Sequence, residues 1–111
     1  MITIKNLRYE KPKNPWDKKV CRGASPLGNP FHLNDTNNDE KREMVCERYE
    51  GWFYEELFDS VIQAELYLLM GTYKKYGKLN LFCWCAPKRC HAETIKTYLE
   101  KRLSDESYTS E

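Results

Sequence analysis

Histidine occurs only twice in these 111 residues, glycine five times, and no charged start leads into an apolar run of seven or more residues. Without such a run the N-terminus MITIKNLRYEK does not read as a signal peptide, and the chain is expected to be cytoplasmic, with no membrane partner. A large charge of either sign is also missing: the formal net charge is +1, which argues against wholesale attraction to DNA or to a membrane surface. Nor is the cysteine count even. Five thiols in a reducing compartment do not suggest a disulfide framework, so metal binding, catalysis or simple burial must account for them.

What is present is enough for one core. The chain is 41% hydrophobic and 14% aromatic despite 32% charged residues, and its length suits a single domain. We expect residues 1–103 to form that domain and 104–111, SDESYTSE, to be a disordered tail. Charge is distributed unevenly. Nine acidic residues face three basic ones between Asp35 and Asp59, whereas five basic face two acidic between Lys88 and Leu103.

Periodicity predicts the elements. ITI at residues 2–4 and VCR at 20–22 read as short strands, separated by a charged, proline-bearing loop. Polar N-cap candidates precede Met44, Val45, Tyr49, Trp52 and Phe53, whose spacing predicts a helix from about Asp39 to about Phe58, with Gly51 as a point where it could break. A second helix follows, with Ser60 as N-cap candidate, Val61, Ala64 and Leu68 on its buried side, and Gly71 or Gly77 as terminator. KLNLFCWC is the clearest strand, apolar on both faces and therefore expected to be central, with helices on either side. Pro87 suits the first turn of a last helix whose buried stripe is Ala92, Ile95, Tyr98, Leu99 and Leu103. The expected fold is α/β: a small single domain in which a short sheet carries flanking helices.

Two constellations carry candidate chemistry. In CWCAPKRCH, residues 83–91, Cys83, Cys85, Cys90 and His91 have the ligand chemistry of a zinc site, but the spacing C-x-C-x-x-x-x-C-H lacks the paired C-x-x-C of zinc fingers. No metal site is therefore assigned, and no cofactor. Cys90 and His91 are the catalytic candidates: a helix N-terminus beside Lys88 and Arg89 stabilises a thiolate, and His91 or His32 could exchange a proton. The same helix start could instead bind a phosphate, with Lys88 and Arg89 adding charge. In the plainest reading Cys83, Trp84 and Cys85 are sheet packing. The second constellation, CRGASPLGNPFHL, sets Arg22, Ser25, Gly28, Asn29 and His32 on a loop stiffened by Pro26 and Pro30, suited to close approach by a ligand. It could equally be a structural turn that fixes Leu27 and Phe31.

Together these motifs resemble a family catalogued as domain of unknown function 4326, found in bacteria and their phages. The resemblance rests on Arg22, on SPLGNPF at 25–31 and on CWCAPKRCH at 83–91, and runs from about Val20 to about Leu103. It implies a compact, Rossmann-like α/β domain related to those that bind or cleave nucleoside derivatives. One position departs from the family pattern: Ala92 stands where members have Gly. The resulting expectation is a pocket between the SPLGNPF loop and the last helix for a nucleotide-like, phosphate-bearing small molecule, with sequestration of a host nucleotide signal as one use. An enzyme cleaving a nucleoside or NAD derivative and a zinc-stabilised interaction module are the alternatives. Nucleic acid is not an expected partner, since no recognition motif accompanies the basic segments.

Overall fold

The computed structural model describes residues 1–31, 38–84 and 89–109. Strand β1 spans Ile2–Asn6 and strand β2 Asp17–Lys19. Helix α1 covers Asp39–Glu55 and tightens into a single 3-10 turn at Glu56–Phe58. Helix α2 runs over Ser60–Tyr76, strand β3 over Leu79–Cys83 and helix α3 over Ala92–Thr109. The three strands form one parallel sheet in the order β1-β3-β2, with Ile2 opposite Leu79, Asn6 opposite Cys83 and Lys19 opposite Phe82. The α/β class expected from the sequence is therefore found, with β3 at the centre. No helix among the described residues is long and apolar enough to cross a membrane.

Pleating decides which apolar residues meet. Ile2, Leu79, Leu81 and Cys83, with Ile4 at their margin, join the buried residues of all three helices in one hydrophobic cluster. Phe82 points the other way along the pleat and is buried outside that cluster. The apolar run of β3 suggested a central strand with helices on either side; β3 is central and is buried on both faces, Leu79 and Leu81 within the cluster and Phe82 opposite them.

Helix α1 is capped by Asn38, whose side chain accepts from Lys41 N at 3.0 Å, and it passes through Gly51 unbroken. For α2 the cap is Asp59 rather than Ser60. Its carboxylate accepts from Val61 N (2.9 Å) and Ile62 N (3.2 Å), placing a negative charge at the positive end of the helix. Gly77 ends α2 at φ +73°, its N–H donating to Tyr73 O at 2.7 Å, while Gly71 lies inside the helix.

The buried stripe of α2 differs from the expected one. Val61, Ala64 and Leu68 are exposed, and Ile62, Leu66, Leu69 and Met70 fill the core. Apolar residues surround most of this helix, so periodicity alone does not choose the inner face; the sheet and α3 do. Helix α3, by contrast, buries Ala92, Ile95 and Leu99 as expected, with Tyr98 and Leu103 partly buried. Its backbone continues to Thr109, into the segment expected to be a disordered tail.

Candidate functional site at the carboxyl edge of the sheet

All three strands run the same way, so the segments that leave β2 and β3 emerge at one edge. The segment after β2 carries the first motif and the segment after β3 the second. Tertiary pairing therefore joins stretches some 60 residues apart in the chain.

The β2 exit is built by backbone turns. β2 lies at 17–19, not at the expected 20–22, although Val20 N still donates to Phe82 O at 3.0 Å. Cys21 O then accepts from Ala24 N (3.1 Å) and Ser25 N (3.2 Å), which turns the chain off the sheet through Gly23 at φ +84°. Ser25 Oγ accepts from Leu27 N at 3.1 Å, and Asn29 Oδ1 accepts from Phe31 N at 2.8 Å, each fixing a turn locally. Arg22 reaches across the loop: its Nε and Nη2 donate to Asn29 O at 2.8 and 2.7 Å, and Nη2 also to Phe31 O at 3.2 Å. Gly28 faces the Cys21–Arg22 backbone so closely that a Cβ there would lie 2.5 Å from Arg22 Cα. The ligand-binding candidates Arg22, Ser25, Gly28 and Asn29 thus form a self-bonded unit, and these hydrogen bonds hold the loop itself. His32, the fifth residue of this set, lies outside the described residues.

Leu27 anchors the unit. It is fully buried, and its carbonyl accepts from the Tyr49 hydroxyl at 2.7 Å. Burial pushes the Tyr49 phenol well above its ordinary range, with the Cys90 charge adding to the effect, so the hydroxyl stays a neutral donor. Sequence reasoning assigned Tyr49 to helix packing and missed this tether; only the three-dimensional approach of α1 to the loop reveals it.

The β3 exit is the second half of the site. Trp84, expected to be packing, is 63% exposed, because the strand ends at Cys83 and the alternation ends with it. Asn6 Nδ2, at the end of β1, donates to Trp84 O at 3.3 Å. Cys85, Pro87 and Lys88, which carry the proposed metal, helix-start and cationic roles, lie outside the described residues. Helix α3 begins at Ala92, five residues beyond Pro87. Glu93 N and Thr94 N close onto Cys90 O and His91 O, both at 3.1 Å, so Cys90 and His91 precede the helix rather than sit in its first turn.

Both catalytic candidates face inward. Cys90 Sγ lies 3.1 Å from Cys83 Sγ, both buried, and either thiol can be the donor to the other. His91 is buried against the β2 exit, its Nε2 2.6 Å from Val20 O. A carbonyl only accepts, so Nε2 carries the proton and Nδ1 is the basic nitrogen. Burial lowers the His91 pKa; the bond to Val20 opposes this and the Arg22 charge reinforces it. The imidazole also packs edge-on against the Tyr49 ring, with centroids 5.1 Å apart. His91 and Tyr49 therefore bind the two motifs to each other and to α1. Arg89 pairs with Glu43 and, at 3.8 Å, with Glu50, both on α1.

Among the described residues no group of three or more His, Cys, Asp or Glu side chains is arranged to hold a metal ion. Tyr49, Trp84 and Asn6 are the residues of this edge that sequence reasoning did not assign to it. For Trp84 the signal was available, since it stands between a strand terminus and a predicted helix start.

No curated protein and no solved structure matches the chain. The family model of the Domain of unknown function (DUF4326) matches residues 5–101, a span that includes both motifs and all three strands but for the first residues of β1, and the chain belongs to that family.

Proposed function

We propose that the carboxyl edge of this sheet binds a nucleotide-like, phosphate-bearing small molecule between the SPLGNPF loop and the approach to α3. The observation that carries the reading is the convergence of the two motif segments at the carboxyl ends of neighbouring parallel strands, tied by His91 Nε2 to Val20 O. Open parallel α/β sheets take their ligands outside the carboxyl ends of strands, where backbone leaves the sheet and side chains converge. A Rossmann-like ancestry belongs to this reading.

Three features fit a nucleotide. Trp84 presents an aromatic face on which a base can stack, a contact worth about 1–3 kcal/mol per base. The start of α3 directs the positive end of an 18-residue helix toward the same edge, favouring phosphate. Arg22, exposed and held in place by the loop carbonyls, supplies a pre-oriented cation. Sequestering a nucleotide signal of a bacterial host, in a cytoplasmic phage protein, would need no more than such binding. Cys90 and His91 then act as positioning residues from beneath the edge.

Thermal-shift screening against mononucleotides, NAD and cyclic nucleotides, with Trp fluorescence as a second readout, tests the proposal. Stabilisation by at least one of them is expected, reduced in Trp84→Ala and Arg22→Gln. No stabilisation and no fluorescence change with any of them would sink it. Intact ligand after long incubation identifies a binder, and turnover abolished by Cys90→Ser would give the site an enzymatic role.

A further inference from the structure

We infer that α2 is a dimerisation helix, pairing with α2 of a second copy of this chain in an antiparallel, two-fold arrangement. The inference concerns a surface apart from both motifs. It starts from the outer stripe of α2, Val61, Ala64, Tyr67, Leu68 and Gly71, which is exposed along three turns and carries no charge. Val61, Tyr67 and Leu68 are 59%, 66% and 60% exposed, and Phe58, just before the helix, extends the apolar surface. A contiguous apolar stripe on the outside of a helix whose other side already fills the core marks an interaction surface.

The stripe complements itself. In an antiparallel pair centred near Leu66, Val61 of one copy falls opposite Gly71 of the other, and Ala64 opposite Leu68, so these two large residues each meet a small one, while Tyr67 falls level with the partner copy's Glu65. Gly71 lines an open groove with Pro15, Leu68, Thr72 and Tyr76, which Lys18 and Lys75 also border. A Cβ at Gly71 would meet nothing within 4 Å, so no contact within the described chain requires glycine at this helical position. The open space there admits close approach by a second helix.

Charge selects the direction. The approach to α2 is acidic, with Glu55 and Glu56 before it and Asp59 as its cap, and its end is basic, with Lys74 and Lys75 in the last turn and Lys78 just beyond. Antiparallel pairing sets each acidic end beside the partner's basic end and opposes the helix dipoles favourably, whereas parallel pairing would oppose like charges.

Sedimentation equilibrium and size-exclusion chromatography with light scattering, from low micromolar to near-millimolar chain, test this on the full protein. The expected mass is twice that of the 13.3 kDa chain. Leu68→Glu and Gly71→Gln are expected to reduce it to the single-chain mass while leaving the circular dichroism spectrum of the fold in place. Lys75→Glu should weaken the pair by about threefold to tenfold, since two symmetric contacts are lost. Adding Glu56→Lys should restore it. A single-chain mass throughout for wild type, or a double mass that survives both Leu68→Glu and Gly71→Gln, overturns the inference. Failure of the charge reversal to restore the pair overturns the antiparallel arrangement.

Discussion

Replacing Gly28 by alanine adds one methyl group at the most crowded of the five glycines. That Cβ would stand 2.5 Å from Arg22 Cα, 2.7 Å from Arg22 N and 2.9 Å from the Cys21 carbonyl carbon. Favourable carbon contacts lie at about 3.5–4.0 Å, so the overlap is on the order of 1 Å against three atoms. All three are main chain, and none can swing aside as a side chain would. The loop must lift from the Cys21–Arg22 turn, at a cost of about 1–3 kcal/mol for overpacking. Lifting it also strains the neighbouring contacts: Tyr49 hydroxyl to Leu27 O at 2.7 Å, and Arg22 to Asn29 O at 2.8 and 2.7 Å. Losing the buried one adds about 1–3 kcal/mol, for a total of about 2–6 kcal/mol, a large part of the stability of a small domain. Urea denaturation followed by Trp fluorescence and circular dichroism measures the loss. Gly51→Ala is the control: it lies inside α1, a Cβ there meets nothing within 4 Å, and it should gain about 0.5–1 kcal/mol. A Gly28→Ala protein within about 0.5 kcal/mol of wild type would refute the argument that this loop is pinned by backbone contact.

Tyr49→Phe keeps the ring against Trp52, Phe53 and His91 but leaves Leu27 O without its donor, and should cost about 1–3 kcal/mol in the same urea experiment. An unchanged midpoint would show that water replaces the hydroxyl. His91 makes stability depend on pH. Its folded pKa lies below the ordinary value of 6.5, so the unfolded chain takes up the proton first, and stability should fall as pH drops below 6.5 toward the lowered folded value. The slope between about pH 5 and 7 should shrink in His91→Gln; an identical slope in the two proteins would assign it to other groups.

Local rules were sufficient where a residue acts on its immediate neighbours. The N-terminal region of α1, the stop at Gly77, and the Ala92, Ile95 and Leu99 stripe of α3 were all legible, because capping, positive φ and one-sided apolarity depend on residues within a few positions. The same rules misplaced the start of α3. Pro87 is favourable at a helix start, but Cys90 turns inward to Cys83 and His91 to Val20, and those contacts delay the helix to Ala92. They also misplaced the inner face of α2, where an apolar residue stands at almost every angle and only the neighbouring elements choose among them.

Of the candidate site, the sequence by itself determined the two motifs and the chemistry of their side chains, because residue type and spacing are written there. It also determined that the SPLGNPF loop would be rigid, since Gly, Pro, Ser and Asn restrict or permit backbone angles within their own turns. Only the tertiary structure decided what those side chains face. Parallel pairing brings both exits to one edge, and burial turns Cys90 and His91 from exposed helix-start groups into interior ties. Trp84 goes the opposite way, from presumed packing to an open aromatic face. Each of these outcomes depends on strands and helices distant in the chain, whose mutual approach is fixed by shared burial and not by any local pattern.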